Sequence, residues 1–186
     1  MTGRAVEDAD DIDDADGVDR VAVTGTPGTG KSTATARLSD EYDVIHLNER
    51  IKTNDELWTE RDPERDTLVA DLDAVAEHLG DWEGVLDSHL GHHFDADRVV
   101  VLRCHPDVVE RRLIERGESA ATATENAESE ALDGILSEAV AAYGLENVYE
   151  IDTTDRDPAA VAEAIRAAID GEREPTAGTV DFTDYL

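Results

Sequence analysis

Residues 21–33 constrain this chain more than any other stretch: Val21-Ala-Val-Thr-Gly25-Thr-Pro-Gly28-Thr-Gly30-Lys31-Ser32-Thr33. Four residues suited to a buried parallel strand run into a glycine-rich turn, and a helix-forming stretch, Ala34 to Leu38, follows directly. The spacing Gly25-x-x-x-x-Gly30-Lys31-Ser32 is that of the P-loop. A polyphosphate wrapped by backbone N–H groups requires loop conformations that a Cβ blocks, hence glycine. The helix N-terminus adds orphan N–H donors and partial positive charge beneath the phosphates. Lys31 can reach the β- and γ-phosphates, and the Ser32 hydroxyl can ligate Mg²⁺.

The charge balance bounds the setting. Asp and Glu number 46 against 16 Lys and Arg, a formal net charge of −30, and lysine occurs only at Lys31 and Lys52. Such self-repulsion works against a compact state at ordinary ionic strength. At ~1 M salt the Debye length falls to ~3 Å and most of the repulsion is screened. The acidity runs along the whole chain rather than in one block, which reads as a halophile with a high-salt cytoplasm rather than an acidic binding module. Cys104 is the only cysteine, so neither an intramolecular disulfide nor a cysteine zinc site can form. No apolar run is long enough for a membrane span or a signal-peptide core, which points to a cytoplasmic protein without a membrane partner. No basic surface for direct nucleic-acid binding is evident. Half of the basic residues fall in two groups, Arg50, Lys52, Arg61 and Arg65, then Arg103, Arg111, Arg112 and Arg116. In so acidic a chain, grouped arginines are expected on phosphates.

At 186 residues the chain is expected to form one main domain with tails. Residues 1–19 carry eight acidic residues and one arginine and read as a disordered acidic tail. Residues 20–171 read as strands alternating with helices. Strands are expected at 20–24, 43–47, 84–89, 98–102 and 148–151. Asp62-Pro63 is a helix start signal, and Leu68, Leu72, Val75 and Leu79 follow at helical spacing as one buried face. Residues 118–124 look like a mobile loop, and helical periodicity over 125–143 predicts one helix. Residues 172–186 form a polar C-terminal tail. The alternation predicts an α/β fold: a five-stranded parallel sheet, doubly wound, with helices on both faces and the ligand at the carboxyl ends of the strands.

Those strand ends carry the further chemistry. Asp87 closes a short apolar strand and fits the second acid that holds Mg²⁺ in P-loop enzymes. His89, two residues on, points the same way from an extended chain. It could order a water, act as a base or bond a backbone group. His92 and His93 lie near, but no fixed ligand spacing joins Asp87, His89, His92 and His93 in a metal site. Arg112 and Arg116, at the end of a helix before the mobile loop, are placed to offset charge on a transferring phosphoryl group. A loop that closes there would exclude water. Arg50 and Lys52, nearest the end of the second strand, are candidates for binding the phosphate acceptor.

Taken together, Gly25-Thr-Pro-Gly-Thr-Gly-Lys-Ser-Thr33, Val85-Leu-Asp-Ser-His89 with Phe94, Val99-Val-Val-Leu-Arg103, and Arg112-Leu-Ile-Glu-Arg116-Gly117 with Glu125-Asn126 resemble one family in order and spacing. It is the nuclear-type adenylate kinases, also called coilin-interacting nuclear ATPases, in their archaeal branch. The resemblance covers about residues 20–171. It implies a nucleoside-monophosphate kinase fold with a core, a small acceptor lobe (about 47–70) and a short lid (about 115–126). It also implies the reaction ATP + AMP ⇌ 2 ADP, with ATPase activity besides. A role in small-subunit ribosome maturation and rRNA processing, through a platform ribosomal protein as partner, is implied as well. By motif match the resemblance places ATP on Gly28, Gly30, Lys31, Ser32, Thr33 and Arg116. It places Arg156 on the nucleotide from the loop after the last strand, and it maps the Asp-x-His pair to Asp87 and His89. Two departures stand out: residues 119–124 carry none of the lysines usual in that lid, and the acceptor lobe matches weakly. The alternatives are a switch ATPase of ribosome assembly and a kinase for another small metabolite. A helicase-type motor would need an Asp-Glu strand end, which the chain lacks, and a second domain, for which no room is expected in its length.

Overall fold

A computed structural model describes residues 20–62 and 67–186. The expected acidic tail and Arg65 lie outside the described residues. Seven strands and seven α-helices follow one another among the described residues. Five of the strands form one parallel sheet: β1 (Arg20–Thr24), β2 (Val44–His46), β5 (Gly84–Asp87), β6 (Arg98–Arg103) and β7 (Val148–Asp152), in the order β2-β5-β1-β6-β7. Their side chains alternate between two apolar layers, as a sheet buried on both faces requires. Val21, Val23, Val85, Val100, Leu102 and Ile151 pack with α1 (Lys31–Thr35) and α7 (Pro158–Ile169) on one face. On the other, Ala22, Leu86, Val99 and Val101 pack with residues of α2 (Leu47–Thr53), α3 (Leu72–Leu79) and α6 (Gly134–Tyr143). The expected α/β sheet with helices on both faces is therefore present.

Three expectations are corrected. Pro63 lies outside the described residues, and the described residues on either side belong to strands. β3 (Trp58–Asp62) and β4 (Thr67–Ala70) pair antiparallel, with Arg61 opposite Leu68, so Leu68 belongs to a two-stranded sheet and not to the face of α3. Helix α3 starts instead at the next aspartate, Asp71, whose side chain accepts from the Ala74 N–H. Leu68 packs on the core from β4, whereas Leu72, expected on the buried face, is 39% exposed at the start of α3, which leaves Val75 and Leu79 as that face.

Next, residues 120–124 are helical. Ser119 caps α5 (Ala120–Ala131) by accepting from the Thr122 N–H, so the segment after α4 (Pro106–Glu115) is a turn of 116–119 and not a loop to 124.

Finally, the single helix read over 125–143 is two. Asp133 takes a left-handed conformation (φ 55°) that breaks α5 from α6. Arg103 on β6 holds the break, ion-pairing with the Asp133 carboxylate and donating to the Glu130 carbonyl at 3.1 Å. Aspartate visits this backbone region more readily than most residues.

The C-terminal segment follows the sheet edge. Thr176 bridges Tyr149 in parallel, and the Thr179 N–H and Oγ1 donate to Glu150 Oε2 at 2.7 and 2.8 Å.

Candidate active site

The parallel register gathers the site at the carboxyl end of the sheet. Val23 on the central strand β1 and His46 on the edge strand β2 both lie opposite Asp87 of β5, which runs between them. The loop 25–30 then turns from β1 into α1. Gly25 has φ 135°, and a Cβ there would sit 2.4 Å from the Leu102 carbonyl oxygen, so only glycine fits between loop and sheet. Gly28 (φ 95°) packs against Val109 and Leu113 of α4, which fixes the far side of the loop.

Lys31 is buried, and its Nζ donates to the carbonyls of Gly25 at 2.7 Å and Thr26 at 3.0 Å. Burial lowers its ammonium to about 8, against the pull of Asp87 and Glu130. Ser32 and Thr33 are exposed at the start of α1. Asp87 is buried, and its Oδ2 accepts from Thr35 Oγ1 at 3.2 Å and lies 2.8 Å from His46 Nδ1. A hydroxyl at Ser32 and a carboxylate at Asp87 are hard oxygen donors, the set Mg²⁺ suits. Both of these contacts of Asp87 fall on Oδ2, and the residues present fit such an ion. His89 is mostly covered. Burial, reinforced by Lys31, His92 and His93, lowers it to about 4, although Asp87 pulls the other way. It is a neutral hydrogen-bonding group near pH 7, not a cation.

Two clefts open on this loop. The smaller, about 190 Å³, is lined by Thr29, Gly30, Thr33, Arg112, Arg116 and Arg156, among others. The larger, about 1140 Å³, includes Thr26, Asn48, Lys52, Arg61, His89 and Arg116 in its wall. Of the residues expected at the site, Gly30, Thr33, Arg112, Arg116 and Arg156 thus meet on one side of the loop, and Lys52 and His89 on the other. Arg112 reaches the loop itself, donating to the Gly28 carbonyl at 3.1 Å. Lys52 also pairs with Glu49 at 3.2 Å on an exposed face. Arg50 lines neither cleft.

Arg103 corrects the expectation that grouped arginines serve phosphates. It is 1% exposed and consumed by carboxylates: Glu130 at 2.7 Å, Glu150 at 2.8 Å and Asp133. Glu130 in turn accepts from Thr26 Oγ1 of the loop at 2.5 Å. The sequence reading missed Glu130, His46 and Thr35 as supports of the site. An acid at helical spacing and a histidine at a strand end carry no local signal for such roles.

Comparison with known proteins agrees with this architecture. A family described as "AAA domain" matches residues 21–133, which hold the loop, Asp87 and the Arg112–Arg116 helix. A protein of Natronomonas pharaonis named "Putative adenylate kinase" is 65% identical over 168 residues, covering 90% of this chain and 99% of that protein. One of the same name from Methanothermobacter thermautotrophicus is 41% identical over 170 residues, covering 89% and 98%. A shikimate kinase from Bacteroides thetaiotaomicron superposes with a TM-score of 0.51 at 20% identity, covering 83% of this chain and 96% of that one, a likeness of fold alone. The chain belongs to the family of these archaeal proteins.

Proposed function

We propose that this chain, as a member of that archaeal family, is an adenylate kinase that moves the γ-phosphoryl group of ATP to AMP, forming two ADP. The observation that carries this reading is the pair of clefts meeting at the P-loop with Arg116 in the wall of both. A hydrolase needs one nucleotide site, whereas transfer between two nucleotides needs two, with a cation where they meet. The names borne by the relatives at 65% and 41% identity support the choice of AMP as acceptor.

On this reading the donor's phosphates lie in the loop 25–30, with Lys31 and the start of α1 beneath them and Arg156 toward the nucleoside. The acceptor lies in the larger cleft, with Lys52 and Arg61 in its wall besides Arg116. An oxygen of the acceptor's phosphate forms a bond to the γ-phosphorus as the bond to the β-γ bridging oxygen breaks, and ADP leaves with that electron pair. Arg112 and Arg116 offset charge spreading over the transferring oxygens. Ser32 and Asp87 would hold Mg²⁺, which when bound neutralises charge on the β- and γ-phosphates. Neutral His89 orders the acceptor or, when none is bound, a water, and the latter accounts for an ATPase side activity.

The test is a coupled assay in about 2–3 M KCl, where the chain's charge is screened. ATP and Mg²⁺ are supplied with AMP, with other acceptors or with none. ADP formation should depend on AMP, and turnover independent of any acceptor defeats the kinase reading. Lys31→Ala should abolish turnover of either kind. A second role in small-subunit ribosome maturation follows from the motif resemblance to the nuclear-type family. Recovery of one small-subunit protein by pull-down at high salt would support it, and recovery of none would leave the metabolic role.

A further inference from the structure

The turn after Leu90 carries chemistry that the phosphate site does not use. Residues 91–93 form a single 3-10 turn that sets His92 and His93 side by side, their rings 4.1 Å apart. His92 is buried. Its Nδ1 lies 3.1 Å from Thr24 Oγ1 and its Nε2 lies 2.9 Å from Glu138 Oε2 of α6. His93 Nε2 lies 4.0 Å from the same carboxylate oxygen. Ligand atoms of all three residues fall within 4.8 Å of one another. Spacing along the chain does not announce this group, because Glu138 comes from α6, 45 positions beyond His93.

Two proton arrangements satisfy these contacts. The Thr24 hydroxyl can donate to His92 Nδ1, which leaves the ring hydrogen on Nε2 to meet the Glu138 carboxylate at 2.9 Å. It can instead donate to the His89 carbonyl at 3.2 Å, and His92 Nδ1 then carries the hydrogen that meets the Thr24 oxygen. In this second arrangement the Nε2 lone pair faces Glu138, the orientation of a metal ligand.

We propose that His92 Nε2, His93 Nε2 and the Glu138 carboxylate bind one divalent transition-metal ion of the zinc type, with Thr24 fixing the His92 tautomer. Two imidazoles and a carboxylate suit Zn²⁺ and leave a fourth position for water, whereas Mg²⁺ favours an all-oxygen set. Bond lengths of about 2.0–2.2 Å imply tetrahedral ligand separations of about 3.4 Å. The fixed His92–Glu138 pair is already close to that, and His93 and Glu138, which are exposed, can close the remainder by rotamer changes. A metal-bound histidine donates its other ring N–H to an outer oxygen acceptor, and here Thr24 Oγ1, 3.1 Å from His92 Nδ1, would take that place. Thr24 is the last residue of β1 before Gly25, so the ion ties the entry of the phosphate loop to α6. The site is structural and shares no ligand with the Mg²⁺ pair Ser32 and Asp87, so it stands or falls independently of the kinase reading.

The test uses the full chain, treated with chelator and returned to about 2–3 M KCl with about 10 mM Mg²⁺ to occupy oxygen-rich sites. Co²⁺ is titrated as the visible probe and Zn²⁺ as its competitor. One equivalent of Co²⁺ should give the visible bands of a four- or five-coordinate nitrogen–oxygen site, and Zn²⁺ should displace it and raise the unfolding temperature. His93→Ala and Glu138→Gln, both at exposed side chains, should each weaken binding at least about tenfold and remove the Zn²⁺-dependent stabilisation. No band at one equivalent, or equal binding by both variants, would overturn the proposal.

Discussion

Arg103 Nε lies 2.7 Å from Glu130 Oε1, and both side chains are almost wholly buried. The pair links the sheet to the phosphate loop, because the other oxygen of Glu130 takes the Thr26 hydroxyl and Arg103 also holds Glu150 at 2.8 Å. Glu150 Oε2 is capped in turn by Thr179 of the C-terminal segment. Arg103→Leu leaves two buried carboxylates without their cation and should cost about 3–5 kcal/mol of stability. Denaturant unfolding in molar KCl measures it. The double variant Arg103→Leu, Glu130→Leu should cost less than the sum of the two single changes, by about 0.5–3 kcal/mol, since each removes the same pair. Strict additivity would show that the two residues act separately.

His46 orients Asp87 from the neighbouring strand at 2.8 Å. His46→Phe removes the donor and frees the carboxylate to rotate. Under the proposed reading the Mg²⁺ concentration needed for half-maximal turnover should rise about tenfold, the low end for loss of an outer-shell partner. His46→Asn retains a donor and should recover most of the loss. An unchanged Mg²⁺ requirement in His46→Phe would show that Thr35 alone holds Asp87.

Lys31 supplies the pH signature of nucleotide binding. Its folded-state value is lowered to about 8 from 10.5 by burial. The unfolded chain therefore binds more protons between these values. The penalty on the ligand-free fold is full below about pH 8 and disappears as pH rises toward 10.5. Polyphosphate beside the ammonium raises its value again, so nucleotide binding should take up about half a proton at pH 8 and little at pH 6. Calorimetry in buffers of different ionisation enthalpy reads the uptake directly, and equal uptake at both pH values would contradict the assignment.

His89 has the same sign on the acid side. Its folded value, about 4, lies below the ordinary 6.5, so the unfolded chain takes up a proton first as pH falls. Stability should be lost between pH 6.5 and 4, and the loss should be smaller in His89→Asn. Turnover of the native chain should show no inflection near 6.5 from this group, which a pH–rate profile checks.

Much of the phosphate site was legible because it is local. The strand, the loop 25–30, Lys31 and the start of α1 are contiguous, and the backbone angles that glycine permits are written one residue at a time. Asp87 was legible as the polar end of a short apolar strand, and Arg112 and Arg116 from one turn of a helix; β5 ends at Asp87, however, and His89 lies in the turn that follows, not on the extended chain expected to reach it. The pairing of β3 with β4 was not legible, because antiparallel pairing and an amphipathic helix both place Leu68 on an apolar face, and only the partner strand distinguishes them.

The sequence by itself determined that the chain carries a P-loop, that a parallel sheet presents it, and that the net charge is strongly negative. The tertiary structure alone decided which arginine serves structure and which serves the clefts. Arg103 and Arg112 sit nine positions apart in one basic group, yet Arg103 faces Glu130, Glu150 and Asp133 while Arg112 faces the Gly28 carbonyl. A charge's role follows from what packs against it, and those partners come from residues far along the chain, such as Glu130 for Thr26 and Glu138 for His92. Contacts of that kind arise only when the sheet has folded and brought the helices down on it.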